Sequence, residues 1–321
     1  MKTSLRVWAA VAALIALPLA PTLASAEAPL VKTQSPGYYR AMVGDFEITA
    51  LLDGTLKLPM TQLLKNATPA QLSAALKRGF VQDQVETSVN AYLVNTGKKL
   101  VLIDTGTGGS FGYTALMLDN MKAAGYKPEQ VDEIYITHMH GDHVGGLLAN
   151  KVAAFPNATL RMDKKDADFW LSEAMMKKAP ADAQDFFKTA MAATAPYTAA
   201  GKLKTFSGAT ELVPGVFSMP AYGHTPGHTI YRIESKGETL VLWGDLMHVA
   251  AVQFDNPAVV ITFDTDNKAA AAERMKAYKE AAAKGWLVGA AHISFPGLGH
   301  LRAANGGKSF TWVPVNYSLL K

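Results

Sequence analysis

Three imidazoles and a carboxylate fall within six residues at His138-Met139-His140-Gly141-Asp142-His143, at the end of the apolar run 131–137. Neutral imidazole and carboxylate are the donors that borderline divalent ions bind best. The chain has eight histidines, at positions 138, 140, 143, 224, 228, 248, 292 and 300, and none precedes residue 138. Histidines used for packing would scatter; these cluster, mostly at the ends of apolar runs. His138 and His140 are two apart on a chain leaving a strand, so their side chains point the same way and can share one ion. Asp142 and His143 follow the bend at Gly141 and suit a second ion. Asp245 ends the apolar run 239–243 and is the natural carboxylate for two neighbouring ions to share. His224 completes the first set, and His292 the second.

These seven residues exceed the four ligands of a closed structural zinc site. They point to two divalent ions per chain with open positions, for which zinc, manganese, cobalt or iron are all suitable. The stretch Gly223-His224-Thr225-Pro226-Gly227-His228 offers two histidines; His224 follows a strand directly and is favoured, with His228 packed behind it. Strand-end placement likewise favours His292 over His300. Asp104 ends the run 100–103 and is expected to receive loop N–H bonds. His248 either lines a substrate pocket or orients a ligand. Paired ions make hydroxide at neutral pH and polarise the bond under attack. The expected reaction is hydrolysis of a carbonyl or phosphoryl centre by a metal-bridging hydroxide. Asp142 and Asp245 are the catalytic carboxylates, Asp142 passing a proton to a poor leaving group such as an alkoxide.

The elements that must deliver these residues read as follows. Residues 27–44 form an irregular lead-in. Residues 45–52 alternate, Asp53-Gly54 is a turn signal, and 56–59 reads as a return strand. Residues 68–78 read as a helix capped by Thr68, with Pro69 at its first position and Gly79 past its end. Strands are expected at 89–94, 100–103, 131–137, 159–162, 212–220, 229–233, 239–243 and 286–290. Helices are expected at 113–124, at 164–178, in the alanine-rich 179–200 before a loop at Pro196, and at 266–284, where Gly285 stops it. A helix is also expected to begin at 144–148. The runs ending at Asp104 and Asp245 look alike, a hint of two similar halves. Each half would be a sheet covered by helices, packed sheet to sheet, with the site along the common edge. Residues 45–321 are read as one catalytic domain.

Lys2 and Arg6 precede an apolar core at 7–20 and the small-residue site Ala24-Ser25-Ala26, the pattern of a secretory signal peptide. Export to the periplasm or medium is expected, with cleavage near Ala26. The net charge of +4 has no dense run behind it, so nucleic acid is not an expected partner. Past the leader no apolar run reaches membrane-spanning length. The absence of cysteine excludes thiolate ligands and disulfides.

His-x-His-x-Asp-His at 138–143, Gly-His-Thr at 223–225, Asp245 and His292 together resemble the metallo-β-lactamase-fold hydrolases. An acid at 245 without cysteine is unlike the true zinc β-lactamases. The similarity is greatest to methyl parathion hydrolase and its lactonase relatives of the dihydrocoumarin hydrolase type. It rests on the exported precursor, the stretches 222–231 and 291–300, and the gap from His224 to Asp245. That group implies an α/β (α+β) fold, a four-layer αββα sandwich, with a zinc-type binuclear site in a homodimer. It also implies an aromatic-lined pocket, here Trp170, Phe186, Phe187 and Phe263 with His248 and Ile261. Bulky Phe263 and Ile261 beside polar His248 suit a planar lactone or aryl ester better than a phosphotriester. The expected activity is lactone opening or aryl-ester cleavage with side activity on phosphotriesters. The alternatives are a dedicated organophosphorus triester hydrolase and, more remotely, a mononuclear iron oxidoreductase or a non-catalytic metal-binding protein.

Overall fold

The computed structural model describes residues 28–319; the leader expected at 1–26 lies outside them. The chain divides into two units, one ending at Ser35 and one beginning at Pro36. In the first, residues 28–35 are exposed and without regular structure.

Two seven-stranded sheets make up the second unit. The first contains, side by side, β1 (Tyr38–Val43), β2 (Phe46–Pro59), β3 (Gln84–Asn95), β4 (Leu100–Ile103), β5 (Glu133–Tyr135), β6 (Thr159–Asp163) and β7 (Leu203–Phe206). The second contains β8 (Thr210–Val213), β9 (Val216–Pro220), β10 (Thr229–Ser235), β11 (Glu238–Leu242), β12 (Leu287–Gly289), β13 (Leu298–Ala304) and β14 (Ser309–Pro314). In both sheets the first three pairings are antiparallel and the fourth is parallel. The likeness of the two halves is therefore topological. Ile48, Val94, Val101 and Tyr135 of one sheet meet Val216, Tyr231, Ile233 and Leu240 of the other between them.

Helices close the outer faces. They are α1 (Pro69–Arg78), α2 (Met117–Ala123), α3 (Lys164–Trp170), α4 (Glu173–Lys178), α5 (Gln184–Ala199) and α6 (Asn267–Lys284). Met117, Trp170, Phe187 and Tyr197 pack on the first sheet, and Tyr278 and Ala281 on the second. The result is the αββα order of layers. The capping signals hold: Thr68 makes a capping box with Gln71, and Gly285 ends α6 in the left-handed region at φ 64°.

Several sequence expectations change. The lead-in 27–44 contains β1, an edge strand whose alternation is weak because most of its residues are only half-buried. Asp53-Gly54 is not a hairpin turn. β2 runs straight through it with a register shift, and the Asp53 carboxylate accepts bonds from Thr107 N, Thr107 Oγ1 and Met117 N. A buried acceptor for a loop had the local spelling of a turn. Pro196 lies inside α5, which is held by Tyr197 bonded through its hydroxyl to Leu147 O and Phe155 N. The expected helix 164–178 breaks at Ser172, which caps α4, and the expected helix 113–124 is confined to α2. At 144–148 there is one short 3-10 turn, Gly145–Leu147, rather than a helix. Strands β7, β13 and β14 had no expectation.

Candidate metal centre

The end of β5 and the single helical turn Gly141–Val144 deliver the opening motif. The 3-10 turn that follows it, Gly145–Leu147, sits hard against the loop after β4: a Cβ on Gly146 would lie 1.9 Å from Thr105 O. From the second sheet, His224 comes from the loop between β9 and β10, Asp245 from the turn after β11, and His292 from the loop after β12.

All seven predicted residues come together in two groups that share Asp245. His138, His140, His224 and Asp245 form one, and Asp142, His143, His292 and Asp245 the other, each with ligand atoms within 4.8 Å of one another. In the first, His224 Nε2 is 3.2 Å from His138 Nε2 and 3.1 Å from His140 Nδ1. Asp245 Oδ2 is 3.3 Å from His224 Nε2 and 3.5 Å from His138 Nε2. In the second, Asp245 Oδ1 lies 3.0 Å from both His143 Nε2 and His292 Nε2. Asp142 Oδ2 is 3.5 Å from His292 Nε2 and 3.7 Å from His143 Nε2. All are buried except Asp142, whose side chain is 22% exposed.

Donors in this arrangement fit metal ions. Ligand atoms about a tetrahedral zinc with bonds of about 2.0–2.1 Å stand roughly 3.3 Å apart, the spacing found here. His143 Nε2 and Asp245 Oδ1 are buried and make no hydrogen bond, although they are 3.0 Å apart. Unpaired buried polar atoms are costly, and a cation between them removes that cost.

The far side of four of the five rings is tied down. His143 Nδ1 is 2.8 Å from Asp104 Oδ2, His224 Nδ1 2.7 Å from Asp264 Oδ1, and His292 Nδ1 2.9 Å from Ser88 O. His138 Nδ1 is 3.1 Å from Thr137 Oγ1, which donates to Asp104. Such bonds fix the tautomer that leaves Nε2 free for an ion. Asp104 also accepts Thr137 N, as expected of it, and holds a left-handed φ of 58°. Asp166 accepts Met139 N and Gly227 N, joining the two ligand loops of the first group. Asp166, Asp264 and Ser88 were missed by sequence reasoning, because an acid beside a loop and a carbonyl on a strand carry no signal.

Burial, with the neighbouring histidines adding to it, holds His138 and His140 well below the ordinary imidazole range, against the pull of Asp245. Burial works the same way on His224, but its bonds to Asp245 and Asp264 outweigh it and push it up to about 9. Burial would raise Asp245, yet His143, His292 and His138 hold it well below the usual carboxylate range.

The structure separates the paired alternatives. His228 is outside both groups: its Nδ1 bonds Ala221 O, its Nε2 accepts Asp245 N, and burial pushes it down to about 3. His300 is exposed and bonded to Trp286 O. His248 stands 3.1 Å from Asp245 Oδ2 and faces the cavity, a position compatible with either of its expected roles.

A cavity of about 220 Å³ opens over Asp142, Asp245, His140 and His292. Of the expected wall, Phe186, Phe263 and His248 line it. Trp170, Phe187 and Ile261 do not; they are buried in the core behind it. Trp170 packs edge-on against His140 at 5.3 Å, and Phe187 against Trp170. Adjacent residues 186 and 187 leave a helix about 100° apart, so only one of them can reach the cavity. Leu56 and Leu58 of β2, Thr87 of β3 and Tyr113 complete the wall. The alternation of 56 and 58 was the available signal.

Comparison with known proteins agrees with this geometry. The family model for the metallo-beta-lactamase superfamily matches residues 85–283, more than half of the chain. The crystal structure of hydrolase AbOPH in the beta lactamase superfamily is 40% identical at a TM-score of 0.85, over 89% of this chain and 100% of that one. AidC, a dizinc quorum-quenching lactonase solved with the product N-hexanoyl-L-homoserine, is 28% identical at a TM-score of 0.80, over 88% and 99%. An N-acyl homoserine lactonase of a Bacillus species is 24% identical over 60% of this chain and 76% of its own. The chain spans only 39% of a Passalora fulva atrochrysone carboxyl ACP thioesterase, with 30% identity over that part. With its two seven-stranded sheets and the two donor groups that share Asp245, this chain belongs to the metallo-beta-lactamase superfamily.

Proposed function

We propose that the protein is a metal-dependent hydrolase that opens lactones or cleaves aryl esters, with side activity on phosphotriesters. The observation that carries this reading is the cavity: four of the seven metal-type donors, His140, Asp142, Asp245 and His292, line its floor, and Leu56, Leu58, Phe186 and Phe263 form an apolar wall. His138, His140 and His224 hold one divalent ion and Asp142, His143 and His292 the other, with Asp245 shared; zinc is the metal favoured. Ions held there lower the pKa of a water and polarise a carbonyl or phosphoryl oxygen.

The chain's own part follows from its side chains. Asp245 presents one oxygen to each group and so fixes their separation. Asp142, the one partly exposed donor, turns Oδ2 to the second group, so its other carboxylate oxygen would take the proton of the attacking water and hand it to an alkoxide leaving group. The apolar wall holds a flat ring or acyl chain and excludes water. Likeness to lactonases supports the substrate class. Export guided by the leader pattern and a homodimer belong to the same reading; cell fractionation and sedimentation check them.

The test is a panel of dihydrocoumarin, phenyl acetate, N-hexanoyl homoserine lactone and methyl parathion with zinc-loaded protein, repeated with Asp245→Ala. The expected order of kcat/KM puts the lactones and the aryl ester above methyl parathion, with the variant at least about 10³-fold lower. The reverse order favours a dedicated phosphotriesterase, and unchanged activity in Asp245→Ala removes Asp245 from the site.

A further inference from the structure

Arg274 is the one charge of α6 that is wholly buried, at 0% exposure. Its Nε donates to Leu246 O at 2.6 Å, and its Nη1 to Pro257 O and Val259 O at 3.0 and 2.7 Å. Nη2 makes no hydrogen bond and lies 3.9 Å from Asp264 Oδ2, with both side chains closed to solvent. The other Asp264 oxygen is the partner of His224 Nδ1 at 2.7 Å. A second buried side chain joins this arrangement. Gln253 Nε2 donates to Val259 O, and its Oε1 accepts His248 N and Val249 N.

A buried guanidinium is costly, and a packed apolar side chain of similar volume would serve a core better. Here the cation does two things. It ties three carbonyls of the segment that runs from Asp245 to Asp264, and it stands beside the carboxylate that orients His224. We infer that Arg274, acting through Asp264, is a positioning residue for the first ion's set of His138, His140 and His224. The inference rests on the proposed two-ion site. Arg274 stands against one oxygen of Asp264 while the other meets His224 Nδ1, an arrangement that holds the ring with Nε2 turned to the first group. The second group has no counterpart: among the described residues, no lysine or arginine is paired with Asp104, the carboxylate behind His143.

The test is metal affinity, measured by chelator competition with zinc and by the absorption spectrum of the cobalt-loaded protein, for Arg274→Met, Asp264→Asn and the double variant. Each single change is expected to weaken one of the two ions about 10–100-fold and leave the other unchanged. The double variant should be no weaker than the weaker single, because the two residues act as one unit. Arg274→Lys should recover part of the loss. Equal weakening of both ions, additive losses or unchanged affinities would each overturn the inference. If Arg274→Met fails to fold, Asp264→Asn and Arg274→Lys carry the same comparison. Wild-type protein that binds no pair of ions would instead sink the proposed function, so the two failures are distinguishable.

Discussion

Asp104 reaches one histidine of each donor group, His143 directly and His138 through the Thr137 hydroxyl. It is thus the residue behind both donor groups, where Asp264 is behind one. Replacing Asp104 with Asn keeps the volume and removes the charge that orients these rings. Both ions should then bind about 10–100-fold more weakly, measured by the same chelator competition. Loss of a single ion would show that Thr137 holds His138 unaided. Asp104 also explains why its position was readable and its role only in part. The strand end is written in the apolar run 100–103, but the histidine it faces is far along the chain, across a parallel strand pair.

At the scale of elements, the site depends on a loop packed backbone to backbone. The segment after β4 lies directly on Gly145 and Gly146, where an added Cβ would meet Thr107 O and Thr105 O, respectively, at 1.9 Å. Gly146→Ala must therefore push the loop after β4 away from the chain that directly follows Asp142 and His143. A loss of about 1–3 kcal/mol or more in unfolding free energy is expected, together with weakened binding of the second ion; wild-type stability in urea would refute the contact. Asp53 anchors the other end of this loop. Burial raises its pKa although the bonds from Thr107 and Met117 lower it. The folded chain therefore holds that proton more tightly than the unfolded chain. Its contribution to stability falls as pH rises from the unfolded carboxylate value of about 4 through the raised folded one. Asp53→Asn should flatten that slope between acidic and neutral pH while costing about 1–3 kcal/mol from one unmatched N–H. Urea midpoints at a series of pH values check it, and an unaltered slope assigns the dependence to other groups.

For the whole molecule, the donors come from both sheets: four from the chain after β5 and three from loops of the second sheet. Ions bound there would cross-link the two halves and stabilise the fold by mass action. At 1,000 times the dissociation constant the gain is about 4 kcal/mol, which for a chain of this size moves the melting temperature by roughly 6 °C. Chelation should lower the Tm by that order, and zinc should restore it; a Tm indifferent to chelator contradicts a metal that bridges the sheets. What the sequence by itself determined was the donor set. Ligands must be histidine or carboxylate at strand ends, and that chemistry is visible in residue type and local spacing. It also carried most strands and the capped helices, whose causes are local. The tertiary structure alone decided what surrounds the donors. Asp53 as an anchor, Arg274 as a buried charge, and Phe186 rather than Phe187 or Trp170 on the cavity wall all depend on which distant backbone arrives opposite. An isolated acid, arginine or aromatic has the same local pattern whether it faces water, a loop amide or a ligand.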